Sequence, residues 1–192
     1  ARQTAQTLGI PFTLLDLRAE FRRDVIDYFT ATYRAGGTPN PCVVCNRTIK
    51  FGRLLDYALA QGYDGMATGH YLRLLHENGR YIPATAEFAE KDQTYVLCEL
   101  TQEQLARCVF PLGEVKSKDA VRALAAQAGL RIAKKHDSQD ICFIPDGDYF
   151  AYLTAHGLTP QPGRFIRPDG TVLGAHRGME AYTVGQRRGL GM

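Results

Sequence analysis

The sequence predicts an α/β fold with a parallel sheet, followed by the start of a small β domain. Helix-like and strand-like segments alternate through the first part of the chain, the order typical of a parallel sheet covered by helices. From Pro160 onward, glycines instead separate short β-like runs, so we divide the chain into residues 1–160 and residues 161–192. Of the 192 residues, 45% are hydrophobic and 22% are charged, which is the balance of a folded globular protein.

Each element of the first part follows from a local pattern. Short apolar runs of β-compatible residues predict buried strands, and apolar residues every three or four positions predict helices. Glycine and proline mark the ends of these segments. The predicted elements are, in order, a helix over residues 1–8, a strand over 12–17, a helix over 21–35, a stiff proline-containing loop from residue 38 that carries Cys42 and Cys45, a helix over 51–61 and a strand over 64–68.

The elements that follow are predicted in the same way. Asn78-Gly79 is a typical hairpin turn, and it lies between two strand-like runs in residues 71–84. Ser117 is a predicted N-cap and Gly129 a predicted C-terminal stop for one helix. The remaining predicted elements are helices over residues 91–106 and 117–129, a short extended piece over 142–145 and a helix from Asp146 to about residue 156.

The charge balance permits an RNA partner without demanding one. Lysine and arginine number 23 against 20 acidic residues, for a net charge of +3. No apolar run approaches the ~20 residues of a membrane span, and no secretion signal opens the chain. We therefore expect a cytoplasmic protein with no membrane partner, in which the five cysteines do not form a disulfide scaffold. Cys98 and Cys108 lie among apolar residues and are predicted to be inert core thiols.

Four features carry candidate chemistry: the Cys42/Cys45 pair, the lone Cys142 in a polar segment, Gly69-His70 and the run at residues 91–93. Cys42 and Cys45 form a Cys-x-x-Cys pair, which suits half of a zinc or iron–sulfur site, a redox pair, or a nucleophile with a neighbour. Gly69-His70 follows a predicted strand, where α/β sheets bind ligands, but a strand also ends this way without a ligand. The run at residues 91–93 is also compatible with a plain helix start.

The order of these motifs resembles that of one family of enzymes. The matching blocks are TPNPCVVCN at residues 38–46, IKF at 49–51, ATGHY at 67–71, KDQTY at 91–95, DSQDICFI at 137–144 and YTVGQRRGLG at 182–191. Together they resemble the tRNA-specific 2-thiouridylases, formerly labelled tRNA methyltransferases. The resemblance extends over essentially the whole chain.

This resemblance implies a partial pyrophosphate-loop ATPase domain, of the adenine nucleotide alpha hydrolase type, followed by the start of a central β domain. The family's phosphate-binding Ser-Gly-Gly-x-Asp-Ser loop does not occur in this sequence, nor does its C-terminal barrel. We therefore expect the chain to lack the main cradle for the ATP phosphates. It is also expected to be inactive by itself.

The resemblance further implies a mechanism and its residues. The family uses ATP and Mg²⁺ to adenylate the 2-carbonyl oxygen of the wobble uridine and then replaces that oxygen with persulfide sulfur. Cys142 matches the cysteine that carries the persulfide, loaded by a sulfur-donor protein, and Cys45 matches the cysteine that releases the sulfur and ends disulfide-bonded to Cys142. Gly69 matches an ATP contact. The expected tRNA contacts are Asn40, Pro41, Cys42, His70, Lys91, Asp92, Gln93 and the basic pair Arg187 and Arg188.

One departure from the family pattern opens alternatives. Some members carry aspartate where this chain has Cys42, so the role of that carboxylate as a base does not transfer. Cys42, Cys45 and Cys142 together are suited to an iron–sulfur cluster with one open iron position. Two other interpretations are an RNA-binding α/β fragment with a structural metal at Cys42 and Cys45, and a ligase that adenylates a small amide or acid.

Overall fold

Three helices dominate the first sixty residues of the computed structural model, which describes residues 1–130 and 141–191. Helix α1 is Arg2–Leu8. Helix α2 joins the segments Arg18–Phe21, Arg22–Ile26 and Asp27–Arg34, and helix α3 joins Pro41–Cys45, Asn46–Leu54 and Leu55–Ala60. The middle segment of α2 and of α3 has the wider turns of a π-helix. The sequence predicted all three helices, but α3 begins ten residues earlier than expected, because Pro41 suits the first position of a helix.

The strand predicted over residues 12–17 is wrong. The segment has no regular secondary structure; Phe12 and Leu14 are exposed, Leu14 at 77%, whereas Leu15 and Leu17 are half-buried. A strand exists only when a neighbouring strand accepts and donates its backbone hydrogen bonds. Among the described residues no strand pairs with this segment.

A parallel strand pair forms, in agreement with the predicted parallel sheet, although only its first strand was predicted from the sequence. Strand β1 (Met66–Ala67) pairs in parallel with β4 (Cys108–Val109), and Met66 stands opposite Cys108. Beyond the paired residues, the Thr68 amide donates to the Val109 carbonyl at 3.1 Å. Thr68 therefore extends β1 toward Gly69 and His70.

The hairpin is also confirmed. Strands β2 (Arg73–Glu77) and β3 (Arg80–Ala84) pair antiparallel, with Glu77 opposite Arg80. Asn78 and Gly79 both have positive φ, 51° and 74°. This is the conformation that a two-residue hairpin turn requires.

The single helix predicted over residues 91–106 is wrong. Two short 3-10 helices, Ala89–Lys91 and Thr94–Leu97, precede helix α4 (Gln102–Leu105). The Asp92 carboxylate accepts the amide of Thr94 at 3.2 Å and so competes with helical hydrogen bonds. Thr101 then starts a new helix, because it forms a capping box with Gln104.

Helix α5 (Lys118–Gln127) has the ends that the sequence predicted. The Ser117 hydroxyl accepts the amide of Ala120 at 3.2 Å, and Gly129 has a φ of 70°. Helix α6 (Tyr149–Ala155) is capped by Asp148, two residues after the predicted start at Asp146. The extended piece predicted over residues 142–145 is instead a turn, closed by the hydrogen bond from the Ile144 amide to the Ile141 carbonyl.

The chain forms two compact units, each built from two stretches of sequence. The first unit comprises Ala1–Phe21 and Cys42–Asp137, and the second comprises Arg22–Pro41 and Ser138–Met192. The second unit ends with strands β5 (Gly163–Ile166) and β6 (Val172–His176), which pair antiparallel, and the 3-10 helix Met179–Ala181. The division of the domains at residue 160 stays a prediction.

Each unit has its own hydrophobic core. The core of the first unit consists of Phe51, Leu72, Val96, Leu97, Cys108 and Phe110. The core of the second unit consists of Phe29, Tyr33, Ile144, Leu153 and Leu158. The prediction of a core thiol is confirmed for Cys108 and wrong for Cys98, which is exposed at the end of the 3-10 helix whose Val96 and Leu97 point inward.

Within the residues that the structure describes, no helix is long and apolar enough to cross a membrane.

Candidate functional site

The Cys-x-x-Cys pair lies at the start of helix α3 and not in a loop, as the sequence had suggested. Cys42 is exposed and Cys45 is half-buried. The two residues are three positions apart on a helix, so their side chains lie on the same face, one turn apart. Cys42 is therefore the more accessible thiol of the pair.

Asn46 holds this helix to the 3-10 helix Thr94–Leu97. It is buried, with 1% of its surface exposed, and its Nδ2 donates to the Val96 carbonyl at 3.0 Å. Because Asn46 follows Cys45 directly, this hydrogen bond fixes the backbone next to the half-buried thiol.

His70 lies at the end of β1 and is buried, with 8% of its surface exposed. Its Nδ1 is 2.8 Å from the Thr68 hydroxyl, and its Nε2 is 3.4 Å from the Lys50 ammonium. An ammonium group only donates hydrogen bonds, so Nε2 accepts and Nδ1 carries the proton that is donated to Thr68. Burial, followed by the positive charge of Lys50, lowers the pKa of His70 to about 4. The imidazole is therefore neutral at physiological pH.

His70 also connects strand β1 to helix α3. Its ring centroid lies 5.8 Å from that of Phe51 and 6.4 Å from that of Phe110. The sequence predicted His70 as a tRNA contact, and this stays a prediction for a side chain with little exposed surface. The sequence assigned no role to Lys50, although it belongs to the IKF block; its exposed position beside His70 makes it a further candidate.

The fold does not require a glycine at position 69, whereas it requires one at the nearby positions 65 and 113. A Cβ atom at Gly69 would meet only the Leu112 side chain, at an ordinary 3.7 Å, and its φ lies outside the left-handed region. A Cβ at Gly65 or at Gly113 would collide with a backbone carbonyl oxygen, that of Arg107 or Leu72 respectively. The fold therefore explains Gly65 and Gly113, whereas the open surface at Gly69 suits the close approach of a ligand to the backbone.

Asp92 uses its carboxylate inside the protein. Oδ1 accepts the Ala86 amide at 2.9 Å and the Thr94 hydroxyl at 2.7 Å. Burial raises the pKa of Asp92, but the hydrogen bonds from Ala86 and Thr94 outweigh burial and hold the pKa below its usual value. Asp92 thus shapes the loop that the sequence had assigned to tRNA.

Gln93 likewise bonds to its own chain. Its side-chain Oε1 accepts the Tyr71 amide at 3.0 Å, and its backbone amide donates to the Tyr71 carbonyl at 2.8 Å. Tyr71 directly follows Gly69-His70, so Gln93 holds this segment from both sides. The adjacent Lys91 is half-buried.

The second unit holds the remaining candidate residues. Cys142, Asn40, Arg187 and Arg188 are exposed, whereas Pro41 is buried. Residues 137–140 of the motif around Cys142 lie outside the described residues.

Two hydrogen bonds shape the loop that carries the arginine pair. The Gln186 side chain donates to the Arg188 carbonyl at 2.8 Å, and the Val184 amide donates to the Thr38 hydroxyl at 3.0 Å. Thr38 is two residues from Asn40. The structure therefore brings the basic loop and the Asn40 segment together within the second unit.

Histidine, cysteine and acidic side chains grouped in space are the ligand set that a bound metal ion requires. In residues 1–130 and 141–191, no three histidine, cysteine or acidic side chains are grouped so as to hold a metal ion. The zinc ion and the iron–sulfur cluster considered from the sequence stay alternatives to be tested by metal analysis.

Comparison with known proteins yields two family models. The model described as tRNA methyl transferase HUP domain matches residues 1–146, and the model described as tRNA methyl transferase PRC-barrel domain matches residues 151–192. A HUP domain has the parallel-sheet architecture expected from the sequence.

Curated relatives agree with the family models. The tRNA-specific 2-thiouridylase MnmA of Syntrophotalea carbinolica is 51% identical over 193 residues, covering 100% of this chain and 54% of the relative. The proteins of the same name from Trichlorobacter lovleyi and Thermobifida fusca are 50% and 52% identical, over 99% and 100% of this chain and 54% and 51% of the relatives. The chain thus spans about half the length of the curated relatives it matches, and the resemblance drawn from the motifs is confirmed. The chain belongs to the tRNA methyl transferase family, the family of the tRNA-specific 2-thiouridylases.

Proposed function

We propose that this chain is the sulfur-handling part of a tRNA 2-thiouridylase, which uses ATP to replace the 2-carbonyl oxygen of a wobble uridine with sulfur. One observation carries the proposal. Helix α3, which begins with the two cysteines, packs through Phe51 on His70, next to the ligand-accessible Gly69. The cysteine thiols of helix α3 and the exposed backbone at Gly69, which ATP can approach, thus belong to the same unit. An ATP-dependent sulfur transfer requires both. The names of the relatives support the same reaction.

The chemistry assigns a separate task to each cysteine. The uridine oxygen is a poor leaving group, so ATP first converts it to an adenylate and pyrophosphate leaves. The terminal sulfur of a persulfide on Cys142 then bonds to the activated carbon, and AMP leaves with the oxygen. The Cys45 thiolate attacks the Cys142 sulfur, which breaks the sulfur–sulfur bond and yields the thiouridine and a Cys45–Cys142 disulfide. The exposure of Cys142 suits loading by a sulfur-donor protein.

The other candidate residues bind the two substrates. Gly69 lets ATP, which we expect to arrive with Mg²⁺, approach the backbone at the end of β1. Asn40, Arg187 and Arg188 are exposed and suit contact with tRNA, and Lys91 adds positive charge in the first unit. The place of the reaction would be the cytoplasm, where tRNA and a persulfide donor meet.

Cysteine variants of the complete gene product test the proposal. With ATP, tRNA and a persulfide donor, Cys142→Ser should abolish thiouridine formation, because the sulfur carrier is lost. Cys45→Ser should stop after Cys142 has received sulfur, which intact-mass measurement detects as one added sulfur atom. Cys98→Ser is the matched control, since Cys98 is also exposed but has no role in the mechanism. Normal thiolation by Cys142→Ser would refute the assignment.

Two further outcomes identify the competing interpretations. Loss of bound iron together with activity, in anaerobically purified cysteine variants, would indicate an iron–sulfur enzyme. One tightly bound zinc per chain, with tRNA binding but no thiolation, would indicate a binding module.

Arginine variants test the contact with RNA. Arg187→Gln and Arg188→Gln should each reduce the slope of the logarithm of tRNA affinity against the logarithm of salt concentration by about one.

A further inference from the structure

We propose that residues 92–96 form a hydrogen-bonded bridge between the end of β1 and helix α3, the cysteine helix. At one end of the bridge Gln93 bonds to Tyr71, and at the other end Asn46 of the helix bonds to Val96; Gln93 and Asn46 are its two positioning residues. Through this bridge, ATP bound at Gly69 would change the accessibility of the Cys45 thiol and so its rate of alkylation. The inference rests on the proposed function, because that function assigns ATP to Gly69 and sulfur chemistry to Cys45.

Gln93 forms the end of the bridge at the strand. Its side-chain oxygen and its backbone amide bond to the amide and the carbonyl of Tyr71, at 3.0 and 2.8 Å. This pair copies the exchange between two antiparallel strand residues, although one acceptor is a side chain. The two bonds fix the backbone two residues after Gly69, so a ligand that moves the strand end also moves Gln93.

Asn46 forms the end of the bridge at the helix. Its buried amide makes one hydrogen bond, from Nδ2 to the Val96 carbonyl, and its Oδ1 is buried with no hydrogen-bond partner among the described residues. A buried polar atom without a partner is costly. A residue that served only to fill this space would be apolar, so the bond to Val96 is the feature that the polar side chain provides.

The segment between the two ends is itself well fixed. The Val96 amide donates to the Gln93 carbonyl at 3.2 Å, and the Asp92 carboxylate holds Thr94 and Ala86. Val96 is buried in the core together with Phe51 of the cysteine helix. The path of hydrogen bonds from Tyr71 through Gln93 and Val96 to Asn46 is therefore continuous. Its last residue, Asn46, directly follows Cys45 in helix α3.

Three variants of the complete gene product test the bridge. Gln93→Met keeps the length of the side chain and removes the acceptor for the Tyr71 amide. Gln93→Glu keeps an acceptor oxygen and should restore function. Gln104→Met is the matched control, because Gln104 also bonds to the cysteine helix, with its Nε2 donating to the Phe51 carbonyl at 2.9 Å, but lies outside the bridge.

The main measurement is the alkylation rate of Cys45 with and without ATP, by peptide mass spectrometry, with exposed Cys98 as the internal reference. In the wild type we expect ATP to change the Cys45 rate about fivefold, the low end of typical coupling between sites. Gln93→Met should abolish the effect and raise the KM for ATP about tenfold, because the partly buried Tyr71 amide loses its hydrogen-bond partner. Gln93→Glu and Gln104→Met should keep the effect of ATP.

The outcomes separate the bridge from the proposed function. If Gln93→Met keeps the effect of ATP on Cys45, or if Gln104→Met loses it equally, the bridge is refuted and thiolation can still stand. If ATP has no effect on Cys45 in a wild-type protein that thiolates tRNA, the bridge is refuted as well. If the wild type consumes no ATP with tRNA, the proposed function fails. Should Gln93→Met not fold, Asn46→Ser at the other end must show the same loss of coupling.

Discussion

The buried, neutral His70 makes the stability of the first unit depend on pH. Its pKa is about 4 in the folded chain, compared with the ordinary value of 6.5. Below pH 6.5 the unfolded chain takes up a proton that the folded chain does not, so protons favour unfolding. The stability that neutral His70 contributes is therefore fully present above pH 6.5 and is lost as the pH falls toward 4.

The shift sets the size of the effect. The difference between a pKa of 6.5 in the unfolded chain and about 4 in the folded chain corresponds to about 3 kcal/mol at most, of which about 2 kcal/mol is lost by pH 5. His70 is 8% exposed, so screening by solvent does not reduce this figure substantially. The charge of Lys50 is the second cause of the shift, and Lys50→Met should therefore raise the pKa of His70 and reduce the loss.

Urea unfolding at about pH 7.5 and about pH 5 measures the free energy of unfolding of the wild type and of His70→Asn. Asparagine retains an N–H group that can donate to the Thr68 hydroxyl, but it does not titrate in this range. The wild type should lose about 2 kcal/mol more than the variant on acidification. Equal losses in the two proteins would refute the reasoning, as would a His70 titration midpoint near 6.5 in an NMR experiment.

Three other outcomes are expected. Gly69→Ala should weaken ATP binding, measured by calorimetry, without lowering the melting temperature, because a Cβ there meets only a side chain at 3.7 Å; a lowered melting temperature would contradict this. Gly113→Ala should cost about 3 kcal/mol of stability in urea unfolding, since its Cβ would strike the Leu72 carbonyl; wild-type stability would show that the backbone yields. Burial raises the pKa of Cys108 from its ordinary value of 9.0 to about 11, so about 100-fold less of it is thiolate and it should be alkylated more slowly than exposed Cys98; equal rates would contradict its burial.

Features that depend on neighbouring residues were predictable from the sequence. The turn at Asn78 and Gly79 needs two residues that tolerate positive φ, and this sequence provides them at adjacent positions. Helix α5 has its signals at both ends, in Ser117 and Gly129. The sequence identified the cysteine pair as a motif but did not predict that it lies at the start of a helix, because the prolines before it are compatible with both a loop and a helix start.

Features that depend on distant residues were not predictable. Residues 12–17 have the composition of a strand, yet a strand requires a partner that composition does not reveal. Asp92 and Gln93 matched a tRNA-binding block, and that contact stays a prediction, but the block did not reveal that their polar atoms bond to Ala86 and Tyr71 elsewhere in the chain. Cys98 lies in an apolar stretch, and only the short 3-10 helix before it decides which side chains point inward.

The interleaving of the two units has a consequence for biosynthesis. The core of the second unit joins Phe29 and Tyr33 to Leu153 and Leu158, so its two halves leave the ribosome about 120 residues apart, a delay on the order of ten seconds. During that delay the apolar face of helix α2 lacks Leu153 and Leu158. The core residues Phe51 and Phe110 of the first unit are closer in sequence and are therefore synthesised with a shorter delay. Separate expression of residues 1–146 and 151–192 would separate Phe29, Tyr33 and Ile144 from Leu153 and Leu158, because the cut falls within the core of the second unit. The two family domains should therefore be produced as one polypeptide.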